Sequence, residues 1–293
     1  GAGPPARVFF GAGPGVLFFV FFGGGAGGAG PPGGGGAPAL LLPGWLAGRE
    51  LRSQRPTAAV SAAATPTPEP APTPLPQMDF TALLAQNPDV VGWIRIEDTP
   101  VDFPVLQGDD NEFYLRHGLD GEYDILGVPY VDYECDVERG RHLILYGHNM
   151  GVGESERFSS LQNYKDPDYY TRHPVIRLDT LYGSALYKVV AVYALTARTA
   201  DADYFPFNTY VDFADDAAEQ AYLDEVARRA FYTTGDYAHP DERLLTLCFC
   251  TYEMEDARML VMARPLREGE RAEADEVHVQ ADPLLPARWP VGG

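Results

Sequence analysis

Two short apolar runs near the end of the chain stand out in the pattern of hydrophobic and polar positions. Residues 244–250 and 257–263 each have the length of a strand, and the polar segment 251–256 between them is short enough to close an antiparallel hairpin. Cys250 ends the first run and Arg258 lies at the start of the second, so the hairpin would place a thiol beside a guanidinium. A cation in that position stabilises a thiolate and any oxyanion that forms next to it.

The same pattern predicts a strand-rich domain upstream of the hairpin. Further strands are predicted at 92–96, 101–106, 128–133, 142–146, 175–178 and 186–195. Apolar residues recur at helical spacing over 213–231, which is predicted to be the one long helix. Shorter helical segments are predicted at 80–86, 111–117 and 158–164, the last as a loop or short helix. The chain is therefore predicted to be mainly β, with one long helix shortly before the strand that carries Cys250.

A histidine completes a possible catalytic group. His148 follows the apolar run 142–146 and precedes a glycine-containing loop. Taken singly, Cys250 would more often be core filler and Arg258 a surface charge. Cysteine, histidine and arginine at three strand ends are, however, the parts of a cysteine acyl-transfer site.

Other residues compete for these roles. His142 lies about 20 Å from His148 along an extended strand, so the two cannot both reach Cys250. Cys248 shares the predicted face of Cys250 and is the rival nucleophile. Cys135 lies among acidic residues, which raise the pKa of a thiol and make it a poor thiolate. The remaining histidines lie in loop-like, helix-edge or tail contexts: His117, His173, His239 and His278.

Several motifs resemble one enzyme family. Thr-Leu-Cys-Phe-Cys at 246–250, followed by Arg258, resembles the Thr-Leu-x-Thr-Cys signature and the downstream arginine of sortases. Tyr-Gly-His-Asn-Met at 146–150 resembles the segment with the sortase histidine, and 91–107 and 111–117 are similar to the first part of class B sortases. The resemblance covers about 80–266, with the motifs in the family's order.

The resemblance implies a fold and a site. The fold would be a closed sortase-type β-barrel with peripheral helices, and the catalytic residues would be His148, Cys250 and Arg258. The sequence departs from the family at Phe249, where a threonine usually precedes the nucleophile. That departure puts in doubt a role for the hydroxyl group in substrate binding.

The resemblance also implies a reaction and its partners. A sortase-type transpeptidase would cleave a C-terminal sorting signal of a secreted protein, of Asn-Pro-x-Thr type or a relative, through a thioester. It would then transfer the acyl group to an amine of cell-wall peptide or to a pilin subunit. Two alternatives remain: a cysteine peptidase that mainly hydrolyses, and a non-catalytic surface domain that retains the fold.

Composition and residue spacing argue against a nucleic-acid partner, a disulfide framework and a metal site. The chain has 293 residues, with 22 Lys and Arg against 42 Asp and Glu, and its net charge of −20 disfavours nucleic acid. Three cysteines, an odd number, do not form a disulfide framework. No cofactor is expected. No metal site is expected either, because Cys-x-Cys lacks paired ligands at zinc spacing and the acidic loop 253–256 lacks a calcium-loop pattern.

The chain divides by composition into four segments. They are a low-complexity apolar N-terminus, a Pro/Thr/Ala-rich linker, the catalytic domain and an acidic, Pro-containing tail, at residues 1–52, 53–77, 78–268 and 269–293. Alternating prolines favour an extended spacer in the linker. The tail is predicted to be a mobile end.

The N-terminal segment is a candidate membrane anchor. No charged residue occurs from 8 to 48, and 16–22 is strongly apolar, but Gly and Pro interrupt the run. Positive residues usually remain on the cytoplasmic side of a membrane segment. Here the outward-facing end of the segment would carry Arg49, Arg52 and Arg55, which opposes that orientation. The alternative is a disordered or wrongly assigned N-terminus. The class B resemblance favours the anchor and implies a Gram-positive cell-surface enzyme with its catalytic domain outside the cytoplasm.

Overall fold

The computed structural model describes residues 75–290, so the predicted anchor and nearly all of the predicted linker lie outside the described residues. The helices are α1 (Thr81–Gln86), α2 (Pro167–Arg172) and α3 (Asp216–Arg229). The strands are β1 (Val90–Arg95), β2 (Asp102–Leu106), β3 (Tyr130–Val131), β4 (His142–Tyr146), β5 (Val175–Thr180), β6 (Gly183–Thr196), β7 (Ala230–Thr234), β8 (Leu244–Thr251), β9 (Ala257–Pro265) and β10 (Val277–Val279). Two 3₁₀ segments span Ser159–Lys165 and Phe207–Thr209. No helix between 75 and 290 is both long enough and apolar enough to cross a membrane.

Eight of the strands close into a barrel. Their order is β6-β5-β1-β2-β3-β4-β8-β9, and β9 returns to pair with β6. Neighbours are antiparallel except for β2–β3 and β4–β8, which are parallel. The long strand β6 makes this closure possible, because it pairs with β9 along one edge and with both β5 and β7 along the other. The predicted mainly β fold with a closed barrel is confirmed.

The hairpin of β8 and β9 separates two apolar clusters. Leu247 and Phe249 belong to the larger cluster, which is shared by strands all around the barrel. The alternate residue Cys248 belongs to the second cluster, in which Tyr222 and Val226 of α3 cover the other face of the hairpin. Phe249 is 2% exposed, so the residue that departs from the family pattern points away from the face of Cys250 and contributes to the core.

All the predicted strands are present, but other predicted segments differ from the structure. The long helix begins at Asp216 instead of 213, because the Asp215 side chain accepts a hydrogen bond from the Ala218 amide at 2.8 Å and caps it. It ends at Arg229, where the chain passes directly into β7. Segment 111–117 forms bends and turns where a helical turn was predicted.

The tail is part of the fold. Strand β10 pairs antiparallel with β7, and Trp289 packs against Phe231 with their ring centroids 5.8 Å apart. The Asp275 carboxylate accepts a hydrogen bond at 2.8 Å from the fully buried Lys188 ammonium group of β6. The prediction of a mobile end is therefore wrong for the described part of the tail.

Candidate active site

Cys250 and Arg258 lie at one end of the barrel as direct cross-strand partners. Their Cα atoms face each other in the antiparallel pair of β8 and β9, as the alternation pattern predicts. Both residues are half-buried, so the thiol and the guanidinium are accessible to a substrate. The guanidinium donates one hydrogen bond, at 3.1 Å, to the carbonyl of Ala257.

The parallel pairing of β4 with β8 brings His148 to the same end. Tyr146 is level with Cys248, and the Gly147 amide donates to the Cys248 carbonyl at 3.2 Å, so the chain after β4 runs beside Cys250. Gly147 is needed there, because a Cβ atom would lie 2.5 Å from the Phe158 ring. The structure therefore brings the three predicted site residues to one end of neighbouring strands.

The surroundings of His148 fix its tautomer. Nε2 lies 2.8 Å from the Leu115 carbonyl oxygen, so this nitrogen carries a hydrogen and donates it. Burial lowers the pKa of His148, the bond to Leu115 opposes this shift, and the charges of Arg116, Arg157 and Arg258 lower the pKa further. The neutral imidazole is favoured at pH 7, with Nδ1 as the nitrogen that can take up a proton.

A buried carboxylate organises the wall beside the site. Asp132 is fully buried, and one of its oxygens accepts hydrogen bonds from the Tyr146 hydroxyl at 2.7 Å and the Asn111 amide at 2.9 Å. Burial, and after it the negative charge of Asp132, raise the pKa of Tyr146, so its hydroxyl stays protonated. Sequence reasoning missed Asp132, because it falls inside the predicted strand 128–133 and no local signal there shows that its carboxylate is buried beside the site.

The competing residues are unsuited to proton transfer or attack. Burial raises the pKa of the Cys248 thiol to about 12, and does the same at Cys135. His142 is fully buried between the Tyr210 carbonyl and the Thr246 hydroxyl, and burial lowers its pKa to about 4. Within 75–290, no three His, Cys, Asp or Glu side chains are grouped so that they could hold a metal ion.

Comparisons with known proteins identify the family. No protein-family model matches the chain. Sortase B of Staphylococcus aureus (strain NCTC 8325 / PS 47) is 30% identical over 193 residues, which is 64% of this chain and 75% of that protein. This chain belongs to the sortase B family. Sortase B of Listeria monocytogenes serovar 1/2a is 31% identical over 181 residues, 61% of this chain and 70% of that protein.

Solved class B sortases have the same fold. Clostridium perfringens sortase B matches with a TM-score of 0.59 and 26% identity, over 64% of this chain and all of that chain. A Staphylococcus aureus sortase B–substrate complex matches with a TM-score of 0.58 and 29% identity, over 64% and 84% of the two chains. The predicted class B resemblance is confirmed, and the enzyme is a sortase-type cysteine transpeptidase.

Proposed function

We propose that Cys250 is the nucleophile, that Arg258 stabilises its thiolate and the oxyanion, and that His148 moves the protons of a transpeptidation. One observation carries this assignment. The thiol and the guanidinium are cross-strand partners next to the loop that joins β8 to β9, while the loop that carries His148 runs beside Cys250 from the parallel strand β4. Cys248 and His142, the rivals in the sequence, are 2% and 0% exposed, so neither side chain can meet a substrate.

The steps follow from the chemistry of these three groups. The Cys250 thiolate attacks the carbonyl carbon of the scissile peptide bond, and Arg258 donates hydrogen bonds to the oxygen as negative charge develops. The carbon–nitrogen bond breaks as protonated His148 gives its proton to the leaving amine, which leaves a thioester on Cys250. An incoming amine then attacks the thioester and gives its proton to His148. The amide product forms and the thiolate is regenerated.

The proposed donor is a secreted protein with a C-terminal sorting signal of Asn-Pro-x-Thr type. The proposed acceptor is an amine of cell-wall peptide, with a pilin subunit as the alternative, and the proposed location is the Gram-positive cell surface. Membership of the sortase B family supports this proposal. The proposed membrane anchor falls in residues 1–52, outside the described residues.

The test is product analysis by mass spectrometry on an Asn-Pro-x-Thr peptide, with and without triglycine as the amine. We expect cleavage in both cases and the triglycine conjugate only when the amine is present. Cys250→Ala should abolish cleavage and transfer, whereas Cys248→Ala should retain activity because that thiol is buried under α3. Hydrolysis product alone in the presence of triglycine would establish a peptidase, and an active Cys250→Ala enzyme would overturn the assignment of the nucleophile.

A further inference from the structure

Two residues outside the proposed catalytic group join the loop after β4 to the end of β8. The Asn149 side-chain amide donates to the Cys250 carbonyl at 3.0 Å. In return, the Tyr252 hydroxyl donates to the Asn149 carbonyl at 2.6 Å. Asn149 follows His148 directly, and Tyr252 comes two residues after Cys250. We call this reciprocal pair of hydrogen bonds the Asn149–Tyr252 clamp.

The two residues differ in burial. Asn149 is 3% exposed, and its side-chain oxygen accepts from the Gly151 amide at 3.0 Å, so its NH₂ group must point towards Cys250. Tyr252 is 64% exposed, and its ring therefore contributes little to the core. What its hydroxyl contributes is the bond to the loop that carries His148.

The clamp lies where the strand ladder has ended. The last backbone bond between the two segments runs from Gly147 to Cys248. Beyond it, within the described part of the chain, the clamp supplies the hydrogen bonds that hold the loop against the end of β8. Proton transfer needs donor and acceptor within hydrogen-bond reach. A shift of this loop by about 1 Å would displace His148 from the leaving amine and would therefore lower the rate of transpeptidation substantially.

We propose that Asn149 and Tyr252 are positioning residues that hold His148 in place for delivery of its proton to the leaving amine of the thiol-bound substrate. This inference rests on the proposed function, since it assigns the clamp a role through His148. It predicts that loosening the clamp slows only those substrates whose leaving group needs a proton.

Two substrates with the same sorting-signal sequence separate that role from a general loss of structure. One has the scissile amide, whose amine leaves only when it is protonated. The other is the p-nitrophenyl ester, whose leaving group departs as the anion without a proton donor. The measurements are kcat and KM on the amide, the burst of p-nitrophenolate on the ester, and the temperature of unfolding.

The chain offers a matched control for each variant. Asn87 is 7% exposed, its oxygen accepts from the amide two residues later at 2.9 Å, and its NH₂ group donates to the Leu119 carbonyl at 2.9 Å. The same NH₂ group also donates to the Tyr114 hydroxyl at 3.2 Å. Asn87→Ala therefore removes the same two kinds of bond as Asn149→Ala and one more, away from Cys250. Tyr182→Phe is the control for Tyr252→Phe, because it removes a hydroxyl from a tyrosine that is also exposed, at 57%. Tyr182 directly precedes the first residue of β6, at the end of that strand that is remote from the site.

On the amide, kcat should fall on the order of 10²-fold for Asn149→Ala and about tenfold for Tyr252→Phe, with KM little changed. The ester burst should be retained in both variants. Asn87→Ala should lower the unfolding temperature at least as much as Asn149→Ala does but keep kcat, and Tyr182→Phe should change neither. The inference is overturned if the clamp variants lose amide and ester rates equally, if they lose neither, or if Asn87→Ala loses as much kcat.

His148→Ala calibrates the comparison, because it should lose the amide rate and keep the ester burst. If it loses both or neither, the proposed role of His148 fails on its own account. If it behaves as expected while the clamp variants do not, only the inference about the clamp fails. The two failures are therefore distinguishable.

Discussion

Glu270 is predicted to stabilise the barrel wall, although the sequence assigns it to the tail. Its two carboxylate oxygens accept hydrogen bonds from Arg264 at 2.7 Å each, and the Lys188 ammonium nitrogen lies 3.2 Å from one of them. Arg264 and Lys188 are cross-strand partners in β9 and β6, and they are 0% and 1% exposed. Glu270→Gln keeps the shape of the side chain but removes the negative charge that pairs with Arg264 and, together with Asp275, with Lys188.

The magnitude follows from the pKa of the carboxyl group. The hydrogen bonds from Arg264 are the main reason that the pKa of Glu270 falls from 4.5 to about 2. At about 1.4 kcal/mol per pKa unit, the ionised group contributes about 3 kcal/mol to the free energy of unfolding. Because the pKa is lower in the folded chain, the unfolded chain binds the proton first as pH falls. The contribution is therefore complete above about pH 5 and is lost towards pH 2.

Urea unfolding followed by circular dichroism tests this reasoning at pH 7 and pH 3. Glu270→Gln should lower the free energy of unfolding by about 3 kcal/mol at pH 7, as expected when a buried ion pair loses one partner. The difference from the unsubstituted protein should shrink by about 2 kcal/mol at pH 3. Glu273→Gln is the control, since that side chain is 77% exposed and should change stability by less than about 0.5 kcal/mol. A Glu270→Gln protein as stable as this control would refute the reasoning.

The remaining predictions concern the site and the fold. Arg258→Lys should lower the transpeptidation rate on the order of 10²-fold, because the point charge of lysine cannot replace the planar guanidinium at an oxyanion. The control is Arg198→Lys, which should keep the rate because the Arg198 side chain is 46% exposed. Equal small effects of the two substitutions would contradict the role of Arg258. The acid limb of kcat/KM should have a pKa below 6.5, because burial lowers the pKa of His148, and a limb above 6.5 would contradict it. The NMR signals of His142 should show a neutral ring until pH falls to about 4, and titration near 6.5 would show that the ring is not buried. Deletion of 1–77 should leave a cooperatively unfolding, active enzyme, and loss of either property would place the domain boundary earlier.

Local sequence determines the hairpin and therefore half of the site. Strand alternation and a short polar loop are properties of neighbouring residues, so the pairing of Cys250 with Arg258 could be predicted before the fold was known. The long helix was predictable for the same reason, because a helical period is a local signal, although its first residue was predicted three positions too early. His148 was identified through the motif around it.

Only the tertiary structure decides which distant segments meet. No local pattern specifies that β4 pairs in parallel with β8, yet this pairing carries His148 to Cys250 and makes the Asn149–Tyr252 clamp possible. Strands β7 and β10 are short, and their stability depends on partners contributed by other parts of the fold.

The tail shows the same limit of sequence reasoning. In the sequence, Lys188 and Arg264 are polar residues at the ends of strand runs, and Glu270 is one of several acidic residues in a Pro-containing segment. Barrel closure buries the two cations, and a buried charge requires a counterion. Glu270 and Asp275 meet that requirement, so the tail packs against the barrel. Burial is a property of the whole fold, and it was burial that decided which charged residues of this chain are structural.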